Sequence, residues 1–310
     1  MSDTYPAKVR LREVGPRDGF QNIHQFIPTE QKIETVRTLA SAGIREMEVT
    51  SFVSPKVIPQ MSDAAEVLAG TEGLGIVRSV LVPTPKRAEQ AIDAGADELI
   101  VFLSASEAHN QANVNRSISE SLAGLDTIFA LANASQTPVI GAMAVSFGCP
   151  YEGKVSLDKI LDISAAFREA GAAGVVFGDT TGMANPQLVT SLVNAYQDRF
   201  GETDFSLHFH NNRGTAMANL LAAMAAGATT FDTAFGGTGG CPTVPKAAGN
   251  LATEDVVGLL DEMSIETGID LPTVIEAARA LEASLGYELS GQVMKSGPVE
   301  WAPQPGYEQS

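Results

Sequence analysis

The sequence is poor in cysteine and in basic residues. Only two of its 310 residues are cysteines, too few for the disulfide framework of a secreted protein. Its 20 lysines and arginines are outnumbered by 37 acidic residues, which gives a formal net charge of −17 at pH 7. Nucleic acids and membrane surfaces are polyanions that repel such a protein, so we expect neither as a partner.

Targeting and membrane-spanning patterns are also missing. The first residues, Met-Ser-Asp-Thr-Tyr-Pro, lack the basic-then-apolar pattern of a secretory signal. No apolar run approaches the length of a membrane span. We therefore expect a cytoplasmic protein whose two cysteines are thiols.

What the sequence does contain is a regular alternation of short β-branched runs with Ala/Leu-rich stretches of helical period. The eight strand–helix units begin at Val9, Glu46, Val77, Glu98, Val139, Gly174, Ser206 and Thr229. The predicted helices of the sixth and eighth units are Pro186–Phe200 and Thr253–Thr267. Several predicted helices end in an alanine–glycine pair, and glycine is a common residue just beyond a helix C-terminus. Eight such units predict an α/β fold, a closed (β/α)8 TIM barrel rather than an open sheet.

The domain organisation is predicted to be simple. We expect one domain over residues 1–310, with the barrel spanning about residues 9–267. Residues 268–310 are predicted to form one extra helix, about Pro272–Leu285, and a loose tail. No linker, long repeat or low-complexity tract indicates a second domain.

Polar residues collect where predicted strands 1, 7 and 8 end, the edge that carries function in TIM barrels. His208 and His210 occupy alternate positions of strand 7, which places both rings on one face. Barrel closure makes strands 7, 8 and 1 neighbours, so Asp18 and Asn250 can converge on these rings. A histidine pair alone also suits plain packing, but two imidazoles with carboxylate and amide oxygens favour a six-coordinate Mg²⁺ or Mn²⁺.

Arg17 adjoins the predicted ligand Asp18 on a loop with a glycine on each side. A guanidinium in this place can stabilise an enolate oxygen as its negative charge develops. Glu48, at the end of predicted strand 2, is the natural ion-pair partner that would orient Arg17. Gln21 has three open roles: holding Arg17, contacting a substrate or capping the loop.

Three further residues could have either a chemical or a structural role. Cys241 follows a glycine-rich stretch, Gly236-Gly237-Thr238-Gly239-Gly240, so its loop can close over a site and present a thiol. Cys149 precedes a proline and is interpreted as a small buried apolar residue. Asp179, after predicted strand 6, is either an orienting carboxylate like Glu48 or the cap of the following helix.

Several segments together resemble the 3-hydroxy-3-methylglutaryl-CoA lyases, a branch of TIM-barrel metallolyases. The resemblance runs from about residue 9 to 285, and its most specific pieces are Val14–Asn22, Thr50–Lys56, Gly148–Lys154, Gly239–Pro242 and Gly249–Asp255. It implies that Asp18, His208, His210 and Asn250 bind the metal. It also implies that Arg17 stabilises the enolate and that Cys241 is the loop cysteine needed for catalysis.

The resemblance implies a retro-Claisen cleavage of a 3-hydroxyacyl-CoA, with CoA as part of the substrate and a homodimer as the assembly. Proton transfer by a base and by an acid, for which Cys241 is the candidate, completes the reaction. Two alternatives stay open: a barrel aldolase that acts on a free hydroxy-oxo acid without CoA, and a catalytically silent binding barrel. The Gly-Gly-Cys-Pro loop argues against the aldolase, and the full set of ligands argues against the silent barrel.

Two departures from the family pattern concern substrate binding. After the second metal histidine, where the family has an acidic and an aromatic residue, this chain has Asn211-Asn212-Arg213. On strand 5 the family's Arg-Gly-Tyr appears as Ile140-Gly141-Ala142. We therefore expect Gln21, Ala142 and Arg213 to contact the substrate, and a substrate whose C3 group differs from the methyl of the parent compound.

Overall fold

The computed structural model describes residues 4–201, 204–239 and 249–301. Eight parallel strands pair in chain order, and the last strand pairs with the first, which closes the barrel. The strands are β1 (Arg10–Glu13), β2 (Glu46–Ser51), β3 (Val77–Leu81), β4 (Glu98–Ser104), β5 (Val139–Ala144), β6 (Gly174–Asp179), β7 (Phe205–Phe209) and β8 (Thr230–Thr233). The predicted (β/α)8 barrel is confirmed.

Helices fill the connections between strands. They are α1 (Thr29–Ser41), α2 (Ala64–Gly70), α3 (Pro85–Asp93), α4 (Glu107–Val114), α5 (Ile118–Ser135), α6 (Leu157–Glu169), α7 (Pro186–Phe200), α8 (Ala216–Ala225), α9 (Thr253–Glu262), α10 (Leu271–Leu285) and α11 (Val293–Ser296). Helix α10 is the predicted extra helix, and it packs against α1 and α9. Within the described residues, no helix has the length and apolarity needed to cross a bilayer.

Two helical predictions need correction. Helix α9 was expected to reach Thr267 but ends at Glu262, because Ser264 adopts a left-handed conformation (φ 58°) and turns the chain. Glu266 then exchanges backbone hydrogen bonds with the N-terminal segment, donating to Ala7 and accepting from Val9. Helix α4 was not expected at all, because Glu107–Val114 lacks an apolar stripe of helical period.

The main core lies between the barrel and its surrounding helices. Phe167 of α6 packs so closely on β5 that a Cβ added to Gly141 would lie 2.5 Å from its ring. Phe177 of β6 stacks edge-on against Tyr196 of α7. These contacts fix the helices on the outside of the strands and leave the inward-facing side chains free to form a separate interior.

Candidate active site

The two histidines of the predicted metal site meet at the carboxyl end of β7. Their Nε2 atoms lie 3.2 Å apart. The Nδ1 atom of His210 lies 2.7 Å from the carbonyl oxygen of Thr180, and that of His208 lies 3.3 Å from Asp232 Oδ2. Because these outer partners accept hydrogen bonds, each Nδ1 carries the proton and each Nε2 presents its lone pair to the same point.

A strand-end irregularity places Asn250 beside His210. Strand β7 ends at Phe209, one residue earlier than expected, and His210 instead forms an isolated antiparallel bridge with Asn250. The Asn250 side chain donates from Nδ2 to Asp18 Oδ2 over 2.7 Å. Its Oδ1 atom is buried and has no hydrogen-bond partner among the described residues.

Asp18 completes the group. It lies in a tight π-helical turn, Gly15–Gly19, and its backbone N–H donates to the Val14 carbonyl over 2.7 Å. Candidate ligand atoms of Asp18, His208 and His210 all lie within 4.8 Å of one another. Burial alone would raise the pKa of Asp18, but the positive charge of Arg17 outweighs burial and holds that pKa far below its usual range.

This donor set fits a hard divalent cation. A carboxylate kept ionised, two imidazole nitrogens with free lone pairs and one orphaned amide oxygen are the ligands that Mg²⁺ or Mn²⁺ accepts. The glycine-rich segment after β8 comes close to the site. A Cβ on Gly239, which has φ +98°, would lie 2.4 Å from Asn250 Nδ2 and 3.0 Å from Asp18 Oδ2.

Arg17 and Glu48 form the expected ion pair. The Arg17 Nε and Nη2 atoms both contact Glu48 Oε2, and Nη1 donates to Asp18 Oδ1 over 2.8 Å. Both side chains of the pair are buried. Burial lowers the pKa of Arg17, but the charges of Glu48 and Asp18 outweigh burial and raise it, so the guanidinium stays cationic.

One of the three roles open to Gln21 was to hold Arg17, and the structure shows a different partner for this side chain. Its Nε2 atom donates to Asp18 Oδ1 over 2.7 Å, so it holds the predicted ligand rather than Arg17. Cys241 lies outside the described residues. Cys149 is buried, as expected for a structural thiol, and its Sγ lies 3.0 Å from Ser106 Oγ.

Asp179 does not cap the following helix. Its Oδ1 accepts hydrogen bonds from the backbone N–H groups of Met183 and Ala184, which closes the turn before α7. The helix itself is capped by Asn185, whose Oδ1 accepts from Leu188 over 3.1 Å. Burial raises the pKa of Asp179 to about 6, and its Oδ2 has no partner among the described residues.

The two substrate residues expected from the family comparison lie in different settings. Arg213 is exposed, and its Nη1 donates to the carbonyl oxygens of Thr181 and Gly182 over 2.7 and 2.8 Å. It therefore ties the loop after β7 to the loop after β6. Ala142 is partly buried in β5 and packs with Ile140 in an apolar cluster inside the barrel.

Sequence reasoning missed two polar residues, one on β8 and one near the end of β4. Asp232 faces inward from β8 and holds His208, and the period-two alternation of the strand could have indicated it. His109 lies on the unpredicted helix α4, with Nδ1 2.7 Å from the hydroxyl of Ser104 at the end of β4. The capping serine of that helix, Ser106, was the available signal.

The fold and this site define a TIM-barrel enzyme with a candidate metal centre at the carboxyl edge of its strands. The model of the HMGL-like family matches residues 8–281. The chain therefore belongs to the HMGL-like family, and it is a carbon–carbon lyase.

Known relatives cover nearly the whole chain. It is 42% identical over 296 residues to hydroxymethylglutaryl-CoA lyase YngG of Bacillus subtilis, covering 94% of this chain and 99% of that protein. It is 38% identical to the mitochondrial hydroxymethylglutaryl-CoA lyase of Homo sapiens, covering 94% and 90% of the two chains. An Acinetobacter baumannii HMG-CoA lyase, solved with coenzyme A and 3-methylmalate, superposes with a TM-score of 0.92 at 38% identity, covering 98% and 100%.

Proposed function

We propose that the protein is a divalent-metal-dependent lyase that cleaves 3-hydroxy-3-methylglutaryl-CoA, or a related 3-hydroxyacyl-CoA, to acetyl-CoA and a keto acid. For the parent substrate the keto acid is acetoacetate. The observation that carries the proposal is the buried Arg17–Glu48 pair beside the convergent group of Asp18, His208 and His210. Relatives at 38–42% identity that are named as lyases of this substrate, one solved with coenzyme A, support it.

The metal would be Mg²⁺ or Mn²⁺, held by Asp18, the Nε2 atoms of His208 and His210, and Asn250 Oδ1. A bound divalent cation supplies Lewis acidity to substrate oxygens and offsets their negative charge. The protein's own contribution is orientation. Asp232 and the Thr180 carbonyl fix the two rings, and Gln21 fixes the carboxylate of Asp18.

Arg17 is the proposed stabiliser of the enolate. Three of its five N–H groups are used by Glu48 and Asp18, so one N–H on each terminal nitrogen remains to donate to the thioester oxygen. Glu48 acts through Arg17 by fixing its plane and keeping it charged. This arrangement favours the transition state because the oxygen gains negative charge only as the C2–C3 bond breaks.

The bond changes follow the retro-Claisen course. A base removes the proton of the 3-hydroxyl, the C3–O bond becomes a carbonyl, and the C2–C3 electron pair passes to C2. The resulting acetyl-CoA enolate takes a proton at C2 from an acid, for which we propose the Cys241 thiol. Support for Cys241 comes from the sequence, where the thiol stands at the end of a glycine-rich segment.

The remaining substrate contacts are also proposals. Gln21 is close enough to the ligand Asp18 to contact a substrate bound there. Arg213 would act through the two loops that it joins, and Ala142 through the inner wall of the barrel. We further propose that the protein is cytoplasmic, in keeping with its two cysteines and its excess of acidic residues. We also propose a homodimer, for which light scattering should give twice the chain mass of 32.5 kDa.

One experiment tests the proposed function. The purified protein is stripped of metal, reloaded with Mg²⁺ or Mn²⁺ and supplied with 3-hydroxy-3-methylglutaryl-CoA, its close thioester analogues and, separately, a free hydroxy-oxo acid. Acetyl-CoA and the released keto acid are both followed by mass spectrometry, which avoids thiol reagents. We expect acetyl-CoA from a thioester only; turnover of the free acid alone would establish the aldolase instead, and no turnover would contradict both.

A further inference from the structure

We infer that the acyl group bound by this enzyme carries at C3 an apolar substituent longer than methyl, which lies against an apolar wall formed by β3, β4 and β5. The inference rests on the proposed function, because it concerns the substrate of that reaction. It depends on how polar and apolar side chains divide the interior of the barrel.

One half of the interior is polar. Strands β7, β8, β1 and β2 are consecutive neighbours, and their inward side chains include His208, Asp232, Arg12 and Glu48. Arg12 lies among carboxylates, with Nη2 3.6 Å from Glu46 and its pKa raised by nearby acids although burial lowers it. This half holds the candidate metal ligands and the Arg17–Glu48 ion pair.

The other half is apolar above a polar base, where Glu98 of β4 lies 3.5 Å from Arg12 Nη2 and accepts a hydrogen bond from Ser79 of β3. Ile100 of β4, Ile140 of β5 and Val176 of β6 form a small cluster that is separate from the main core outside the strands. Leu81 of β3 and Ala142 of β5 pack on top of it. In a closed eight-stranded barrel β5 lies opposite β1, so this cluster faces the polar half across the interior.

The upper part of this half is open to the barrel mouth. Leu81, Phe102 and Ala142 are only partly buried, whereas the deeper Ile100 and Ile140 are buried. The strand register places the partly buried residues close to the metal centre. Ala142 of β5 pairs with Val176 of β6. The next inward residue of β6 is Gly178, and Gly178 pairs with the candidate ligand His208 of β7.

The wall suits an alkyl group and disfavours a charged or polar one. Leu81, Phe102 and Ala142 offer no side-chain hydrogen bond, so a polar arm placed there would lose water without gaining a partner. Ser104, the next inward residue of β4, already contacts His109. The small side chain of Ala142, between Phe102 and Val176 in register, leaves room at the upper end of this wall.

The test compares kcat/KM for a series of 3-hydroxyglutaryl-CoA thioesters that carry methyl, ethyl or propyl at C3. We expect a rise of roughly fourfold per buried methylene in the wild type. Ala142→Leu fills the space and should lower the propyl-to-methyl ratio of kcat/KM tenfold or more. Ala134→Leu adds the same side chain at an exposed position of α5 and should keep the wild-type order.

Ala142→Val is the milder variant should Ala142→Leu fail to fold, and it should reduce the propyl advantage partway. A methyl substrate that is best in the wild type and in the Ala142 variants would overturn the inference while leaving the lyase function intact. A preference for a polar C3 group would overturn it too. If no thioester in the series were cleaved, the proposed function itself would fail.

Discussion

Arg17 contacts one carboxylate oxygen of Glu48 through two of its nitrogens, inside a barrel where both side chains are buried. A third nitrogen holds Asp18, the carboxylate that we propose as a metal ligand. The enolate stabiliser and the metal centre are thus one connected unit, and the geometry of each depends on the other.

Removing the guanidinium should act mainly on the transition state. We expect Arg17→Gln to lower kcat by about 10²-fold or more while KM changes far less, because the lost N–H groups act on charge that develops during cleavage. Steady-state kinetics check this. Arg37→Gln, an exposed arginine of α1, is the matched control and should retain wild-type kcat. A large rise in KM with unchanged kcat would show that Arg17 only binds the ground state.

Glu48 is expected to act through Arg17. Glu48→Gln should lower kcat by roughly tenfold or more, and the double variant Arg17→Gln/Glu48→Gln should be little worse than Arg17→Gln alone. The kinetics of the wild type, the two single variants and the double variant form a double-mutant cycle. Additive losses would mean that Glu48 has a separate role, for example as the base.

The candidate ligands should be required for metal binding and not for folding. We expect Asp18→Ala and His208→Ala to abolish acetyl-CoA formation and to weaken Mn²⁺ binding, measured by electron paramagnetic resonance, by 10-fold or more. Circular dichroism should show an intact fold. Asp126→Ala, an exposed acid of α5, should bind the ion normally. Normal Mn²⁺ affinity in Asp18→Ala would remove this residue from the site.

Cys241 should matter for proton delivery. Cys241→Ser places a far weaker acid at the same position, so we expect kcat to fall by about 10²-fold with little change in KM. Cys149→Ser is the internal control, since Cys149 is buried against Ser106 and should affect stability more than turnover. Near wild-type turnover in Cys241→Ser would mean that another group is the acid.

Glu254 should make stability fall with rising pH. Its oxygens accept from the Gly236 N–H, and burial raises its pKa to about 8, against about 4.3 in an unfolded chain. Between those values the folded state holds a proton that the unfolded state has lost, so raising the pH favours unfolding. The wild type should lose roughly 2 kcal/mol or more relative to Glu254→Gln from pH 5 to 8, measured by urea denaturation.

A second buried carboxylate provides the comparison. Burial raises the pKa of Glu13 to about 7, so the wild type should also lose stability relative to Glu13→Gln as the pH rises, with the loss ending about one pH unit lower. A stability difference between the wild type and Glu254→Gln that stays constant over this range would show that Glu254 is ionised in the folded protein.

The barrel could be predicted from the sequence because each strand–helix unit carries its own local signals. Helix α7 was predicted with its observed bounds, Pro186–Phe200, since proline starts it and glycine follows it. Helix α4 was not predicted, because most of its eight residues are polar and its stability comes from the Ser106 cap and from packing. The end of α9 depends on a contact with residues more than 250 positions away.

The sequence predicted those features of the site that follow from closure of the barrel. Closure makes strands 7, 8 and 1 neighbours, which brought Asp18, His208 and Asn250 together without knowledge of side-chain positions. Sequence spacing does not fix side-chain rotamers or distances. It therefore could not predict that Gln21 donates to Asp18 or that Asp232 supports His208.

The central claim is that cleavage of a 3-hydroxyacyl-CoA depends on one divalent ion at the Asp18–His208–His210–Asn250 site. The most direct measurement titrates metal-free protein with Mn²⁺ and records bound ion and acetyl-CoA production in the same samples. We predict that activity is absent without the ion and rises in proportion to occupancy, up to one ion per chain. Full acetyl-CoA production by the metal-free protein would contradict the account.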